Sequence, residues 1–359
     1  MALIAHTELP SFERLAGEGY DVLSGARAST QDIRELHIGV LNMMPDAALE
    51  ATERQFLRLL ASCNRIVQLY VHLFTMPGIP RAGDALEHVA RFYEPYPSLA
   101  EQGLDALLIT GANPVEPDIR DEPYWESLRQ IMDWANENVT STLCSCLASH
   151  AAFKQYYGVE RIPLPTKQWG VYSHRVVAPD HPLVGNINSR FDAPHSRWNN
   201  VPVAELEAAG IRVLATSETA GVHLACSEDG IRWVYFQGHP EYDANSLAKE
   251  YKREVMRFSS GVIDDYPPFP DGYFNAGAKA LLDAHRDEAL AARQRGETGP
   301  SLDEDRLNAQ LENSWTDTGK AIFNNWLGLV YRLTHRDRLR QFMDGVDPAD
   351  PLGGIGRIG

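Results

Sequence analysis

Short apolar runs alternate with amphipathic helical stretches, and this alternation constrains the chain more than any other feature. Residues 36–41 (LHIGVL), 66–73 (IVQLYVHL), 106–110 (ALLIT) and 139–145 each read as a buried strand. Between them, Asp46 is placed to cap a helix over 46–60 with Leu49, Phe56 and Leu60 on one face. Further helices are predicted over 124–136 and over 147–157, the latter closed by Gly158. The pattern predicts an α/β fold, a mostly parallel sheet flanked by helices on both faces. In the second half, strand signals at 175–177, 211–216, 222–225 and 231–236 have hairpin spacing and suggest antiparallel additions. Asp243 is expected to cap a helix carrying Leu247, Tyr251, Val255 and Phe258 on one face, and residues 318–333 read as a final core helix.

Residues 1–35 look like an N-terminal extension, 36–335 like the main domain and 336–359 like a tail. Within the domain, 261–272 reads as a loop, and 286–306, charged and punctuated by Gly and Pro, as an exposed insertion. The glycines of 351–359 have neither the strand nor the helix that a phosphate loop requires. With 359 residues and 44% hydrophobic content, there is ample material for a core. A net charge of −16 argues against nonspecific binding to nucleic acid or to an acidic membrane face. No apolar run reaches the ~18 residues of a membrane span, and the N-terminus lacks the basic and apolar segments of a signal peptide. Four cysteines are too few for a disulfide framework. A reducing cytoplasm is the expected setting, with thiols free for chemistry.

Cys146 lies where a predicted strand gives way to a helix, in Cys144-Ser145-Cys146-Leu147-Ala148. Small residues two positions to either side suit a nucleophile elbow, whose tight turn lifts the side chain into a site. The helix N-terminus directs free N–H groups and a positive dipole end at the sulfur, which favours the thiolate. The Leu147 N–H is then placed to stabilise an oxyanion. Cys144, one residue short of that position on the strand end, reads as structural. Cys144, Cys146 and His150 lack an evident fourth ligand, so no metal is expected. The second piece is Gly238-His239-Pro240-Glu241, directly after an apolar strand. His239 sits at a strand end, where functional residues collect in α/β sheets, and Glu241 can bond and orient its imidazole. Alone, this segment is equally a surface turn. In the order Cys…His…Glu with the elbow, it reads as a triad for acyl transfer through a thioester.

The stretches Leu41-Asn42-Met43-Met44-Pro45, Thr52-Glu53-Arg54-Gln55-Phe56-Leu57-Arg58, Ala193-Pro194-His195-Ser196-Arg197 and Gly238-His239-Pro240-Glu241-Tyr242-Asp243 fall in a fixed order. With the cysteine elbow, they make the chain resemble the homoserine O-acyltransferase family of methionine biosynthesis, from about residue 9 to 331. The resemblance implies a class I glutamine-amidotransferase-like fold. It also implies transfer of an acyl group from acyl-CoA to Cys146 and then to the hydroxyl of L-homoserine, with His239 as base. Acyl-CoA would be a co-substrate, no bound cofactor is expected, and a homodimer stays open. Family substrate contacts map onto Lys167, Ser196 and Arg253. Arg253 shares a helix face with Glu250 and suits a bidentate grip on a carboxylate. Leu147 and Ala112 would supply the oxyanion N–H groups.

In the family, a glycine just after the Thr-Gly-Ala turn accompanies succinyl transfer and a glutamate acetyl transfer. Here the turn is Thr110-Gly111-Ala112-Asn113-Pro114-Val115-Glu116. An ungapped count places Val115 at that position, and a one-residue shift places Glu116 there. The ungapped count puts no negative charge at the site and favours succinyl-CoA over acetyl-CoA. This sequence departs from the family in Asp46-Ala47-Ala48, where lysines are common, and in His150, where a polar amide is expected. Three alternatives stay open: serine as acceptor, a glutaminase-type amidotransferase, and a non-enzymatic ligand-binding relative.

Overall fold

The computed structural model describes residues 2–63, 67–297 and 299–353. Eleven strands among the described residues form one sheet. In chain order they are β1 (Ala2–Ala5), β2 (Val22–Ser24), β3 (Glu35–Leu41), β4 (Gln68–Phe74), β5 (Ala106–Ile109) and β6 (Ser141–Ser145). Then follow β7 (Ile162–Val176), β8 (Arg190–Asn200), β9 (Arg212–Ser217), β10 (Gly221–Cys226) and β11 (Trp233–Phe236). Their order across the sheet is β2-β1-β4-β3-β5-β6-β11-β10-β9-β7-β8. Every pairing from β2 to β11 is parallel, and every pairing from β11 to β8 is antiparallel. The expected parallel core with antiparallel additions is the architecture found.

Side chains alternate between two buried layers, as the pleat requires. Leu108 of β5 and Val234 and Phe236 of β11 pack on one face with Phe56, Leu60, Phe323 and Trp326 of the helices Leu49–Ala61 and Thr316–Leu333. Leu107 and Ile109 of β5 and Tyr235 of β11 pack on the other, with Ile131, Met132, Ala148 and Ala151 of the helices Trp125–Asn138 and Leu147–Tyr157. With both faces covered, the central strands read as continuous apolar runs. A third cluster joins Trp169 of β7 to Tyr251 and Val255 of the helix Ser246–Ser259 and to Phe274 and Leu282.

Four expectations need correction. The first 35 residues do not stand apart as an extension. They supply β1 and β2, with Leu3 and Ile4 fully buried, and strands of four and three residues are too short to leave a periodic signal. The 286–306 segment begins inside the helix Ala276–Gln294, whose buried stripe there is made of Ala289 and Ala292. Small alanines hid that stripe. The 175–177 signal is the end of a strand of fifteen residues paired along its length with β8. The tail folds back: Gln341 donates to the carbonyls of Asn136 and Val139, and Phe342 is buried. Ile66, read as the start of a strand, and the glycines at 354, 356 and 359 lie outside the described residues. No helix among the described residues is long and apolar enough to cross a membrane.

Trp326 is fully buried, and its indole N–H donates to Ser141 Oγ at 2.8 Å. Trp326→Ala should therefore cost about 3–5 kcal/mol, read as a lower urea midpoint at unchanged slope.

Candidate active site

The sheet brings the two predicted segments together because β6 and β11 are parallel neighbours, with Ser145 paired to Phe236. Their C-terminal ends lie level, and the chain leaves each end into the site. Cys146 is the turn residue between β6 and the helix Leu147–Tyr157, at φ 51° and ψ −109°. Few non-glycine residues adopt such a conformation, and it persists only where the surroundings over-determine it. Here the Cys146 N–H donates to Phe236 O at 2.7 Å, and the Cys146 carbonyl accepts from the Ser149 N–H at 3.0 Å. Ser149 Oγ lies 3.0 Å from Cys144 O and 3.1 Å from Phe236 O, tying the helix to both strands. Leu147 is the first helical residue, so its N–H has no intrahelical acceptor. Cys146 is half-buried, whereas Cys144 is fully buried in the core. Burial pushes the Cys144 thiol pKa up.

His239 follows β11 through Gln237 and Gly238. Its backbone N–H donates to Pro194 O at 2.8 Å, which hangs the loop on β8. A Cβ at Gly238 would sit 2.7 Å from His223 Nδ1, 2.8 Å from His195 Nε2 and 2.9 Å from Pro194 O, so this close approach requires glycine. His239 Nδ1 lies 2.7 Å from Glu241 Oε1. Burial opposes protonation of His239. The Glu241 carboxylate and a hydrogen bond with Cys146 prevail and hold its pKa well above the ordinary imidazole value. Cys146, His239 and Glu241 thus form one chain of interacting groups, in which the His239–Glu241 pair is hydrogen-bonded.

Tyr242 extends that chain. Its ring stacks on His239 at 4.4 Å, and its hydroxyl donates to Glu250 Oε1 at 2.9 Å. Lys167 Nζ and Ser196 Oγ both donate to Glu250 Oε2, at 2.9 and 2.6 Å. Burial would raise the Glu250 pKa, but Lys167, Ser196 and Tyr242 bring it below the usual carboxylate value. Two of the three expected substrate contacts therefore meet at a carboxylate. Arg253, one turn further along the same helix, is exposed and has no ion-pair partner among the described residues. Asp243 does not cap the helix as expected, since Asn245 is the residue before its first turn. Its carboxylate instead accepts from Arg54 Nη2 at 2.8 Å and from Arg58. An acidic side chain near a helix start reads as a cap in sequence, and the distant arginines that claim it leave no local signal.

Gly111 lies beside Cys146: a Cβ there would be 3.5 Å from Cys146 Cβ. Ala112 follows it, partly buried against the core. Val115 and Glu116 are exposed, and both backbone N–H groups donate to the buried Glu122 carboxylate, at 2.7 and 2.9 Å. Among the described residues no hydrogen bond or ion pair joins either side chain to the triad. His150 packs beneath the elbow with Nε2 2.6 Å from Gln237 Oε1, and burial lowers its pKa to about 3. Sequence reasoning missed the roles of Glu250, Tyr242, Gly238 and Glu122. Tyr242 and Gly238 stood inside the His-Pro-Glu motif, while nothing local marked the other two.

Behind Gly238 lie three buried histidines, His174, His195 and His223, with nitrogens within 4.8 Å of one another. Arg197 Nε–H donates to His195 Nδ1 at 3.3 Å, so a neutral His195 carries its proton on Nε2. That proton points at His174 Nε2, 3.1 Å away, and His174 Nδ1–H donates to Tyr172 O at 2.9 Å. The bonds run in one direction, and a cation there would have to displace the His195 proton. The three rings therefore make a neutral floor for the loop of Gly238 and His239. Burial, foremost, keeps His195 and His223 well below the ordinary pKa.

Fold and site define an α/β protein with a cysteine, a histidine and a glutamate gathered at the ends of adjacent parallel strands. The family model described as homoserine O-succinyltransferase matches residues 2–336. Homoserine O-succinyltransferase of Methylococcus capsulatus is 56% identical over 98% of this chain and 99% of its own length. That of Methylobacter tundripaludum is 54% identical over 98% and 100%. A solved glutamine amidotransferase from Methylobacillus flagellatus aligns at 12% identity and a TM-score of 0.44, over 83% of this chain and 95% of that one. The chain belongs to the homoserine O-succinyltransferase family.

Because Glu241 is the first of the groups raising the His239 pKa, Glu241→Gln should lower its titration midpoint. Imidazole NMR reads this directly, and an unchanged midpoint would remove Glu241 from the triad.

Proposed function

We propose that this chain transfers a succinyl group from succinyl-CoA to the hydroxyl of L-homoserine, in methionine biosynthesis, through a thioester on Cys146. The observation that carries the chemistry is the chain Cys146–His239–Glu241 set at a strained elbow. The full-length likeness to relatives named homoserine O-succinyltransferase carries the choice of substrates.

In the first half-reaction the Cys146 thiolate attacks the thioester carbonyl of the donor. The oxyanion is met by the Leu147 N–H at the helix start and by the Ala112 N–H opposite. Collapse expels CoA as its thiolate, which takes the proton of the His239 imidazolium, and leaves succinyl-Cys146 beside a neutral His239. In the second half, His239 takes the proton of the homoserine hydroxyl as its oxygen attacks the thioester. Glu241 orients the imidazole and stabilises the imidazolium. Collapse then regenerates the Cys146 thiolate and releases O-succinylhomoserine. The reaction requires no bound cofactor. The polar group of Lys167, Ser196 and Glu250 faces the acceptor, and Arg253 clamps its carboxylate. The free cation on an exposed arm is available for a substrate anion.

Incubation with succinyl-CoA and no acceptor should add one succinyl mass, mapped to Cys146 and lost in Cys146→Ser. An adduct on Cys144 would overturn the nucleophile. Arg253→Lys should raise the homoserine KM about tenfold or more while sparing thioester formation, because lysine lacks the bidentate fork. Equal damage to both half-reactions would make Arg253 structural. Succinyl-CoA should exceed acetyl-CoA in kcat/KM. The reverse preference, switched by Glu116→Gly, would give Glu116 the donor-selecting role and acetyl-CoA the donor's place.

A further inference from the structure

A second group of ligand-type atoms stands far from the triad in the sheet order, where β1 meets β4. His6 follows β1, His72 lies in β4, and Glu94 follows the helix Gly83–Phe92. One ligand atom from each comes within 4.8 Å of the others. Unlike the floor beneath Gly238, this group has a hydrogen-bond pattern that leaves room for a cation.

His6 decides the matter. Its Nδ1–H donates to Ile4 O at 3.0 Å, so Nε2 of the neutral ring carries a bare lone pair. That Nε2 is buried, has no hydrogen-bond partner, and lies 3.7 Å from Glu94 Oε1. With the ring neutral, two acceptors face each other at this separation, and with the ring protonated the pair is an ion pair too long for a good hydrogen bond. A buried lone pair opposite a carboxylate is unfavourable unless a positive charge lies between them, which a ring proton supplies in the metal-free form and a metal ion can replace. Ligands sharing one zinc ion, each about 2.0–2.2 Å from it, stand apart on this scale. His72 Nδ1 completes the set, 2.7 Å from the same Glu94 oxygen.

The surroundings are those of a metal-ligand histidine, whose second nitrogen is held by a carbonyl, a carboxylate or another ring. His6 already has its carbonyl. His72 Nε2 lies 2.8 Å from His37 Nδ1, and His37 Nε2 lies 3.5 Å from Glu35 Oε2. In the metal-free form His72 Nδ1–H points at Glu94 and His37 Nδ1–H at His72. When His72 Nδ1 takes a metal, each proton moves one place along: His72 then donates from Nε2 to His37, and His37 from Nε2 toward Glu35. No proton has to leave this pair. His37 is held flat against Tyr70, ring to ring at 4.8 Å. The side chains of His6 and Glu94 are 18% and 27% exposed, which gives an ion a way in.

We propose that His6, His72 and Glu94 bind one divalent transition-metal ion, with Zn²⁺ the fitting probe. Two imidazoles and one carboxylate suit such an ion, with water completing its coordination. Its consequence is mechanical. β1 pairs with β4 through only Ala2–Gln68 and Leu3–Leu69, and a metal across His6 and His72 fastens the first strand to the sheet.

The test uses the full chain, stripped by chelator and carrying Cys146→Ser so that the catalytic thiol cannot compete. Calorimetric titration with Zn²⁺ should give one ion per chain at micromolar concentration or below. His6→Ala and Glu94→Gln should each weaken binding by at least about tenfold, and His37→Phe should do so through the outer contact. Zn²⁺ should raise the thermal midpoint of the parent and leave that of His6→Ala unmoved. Absence of saturable binding, or binding that Glu94→Gln leaves unchanged, overturns the site. The near-isosteric Glu94→Gln keeps the test decisive where His6→Ala fails to fold.

Discussion

The parallel pairing of β6 with β11 is the constraint from which the rest of the site follows. Cys146 and His239 lie far apart in the chain, and the register of these two strands sets their ends level. The Cys146 N–H extends the ladder by one bond, to the last residue of the strand that carries the base. A slip of one residue would turn every side chain of β6 to the opposite face. It would also orphan buried peptide groups, at about 1–3 kcal/mol for each. β5, on the other side of β6, brings Gly111 beside the Cys146 Cβ by the same ladder. The site is therefore as rigid as the centre of the sheet.

The segment after β11 adds a second constraint, because it carries Glu241, Asp243 and Glu250, largely removed from solvent. A buried carboxylate is costly unless it is paired and hydrogen-bonded. Each finds partners in a different part of the fold. Glu241 takes His239. Asp243 takes Arg54 and Arg58 from the first long helix. Glu250 takes Lys167 from β7, Ser196 from β8 and Tyr242 from its own loop. These pairings draw the N-terminal half and the antiparallel half around the triad. The conformity of widely spaced motifs to one site has this electrostatic origin.

What the sequence made legible divides along the same line. The central strands were readable because both faces are apolar, and the meeting of Cys146 with His239 and Glu241 because these residues lie in short contiguous motifs at strand ends. The short strands β1 and β2 were not, since a run such as ALIA is too short for a period. Glu250 and Glu122 escaped because a buried acid has the same local sequence as a solvated one. What distinguishes them is the arrival of Lys167 and Ser196 in one case, and of two backbone N–H groups in the other. Asp243 shows the complementary failure. Its position suggested a helix cap, and long-range pairing overrode that local preference.

The two cysteines of the elbow show what the strained turn achieves. Cys144 and Cys146 are two residues apart at the end of one strand. Cys144 points into the core, where desolvation holds its thiol protonated and inert. Had the strand continued regularly, Cys146 would have faced the same layer, because the period is two. The left-handed turn at Cys146 breaks that period and sets its side chain at the helix start instead. Such a conformation costs about 1–3 kcal/mol. Its own backbone hydrogen bonds and the Ser149 hydroxyl, which reaches both strands, over-determine it. A modest backbone strain, held by contacts on both sides, separates a core thiol from a half-buried one at a helix start within three residues of chain.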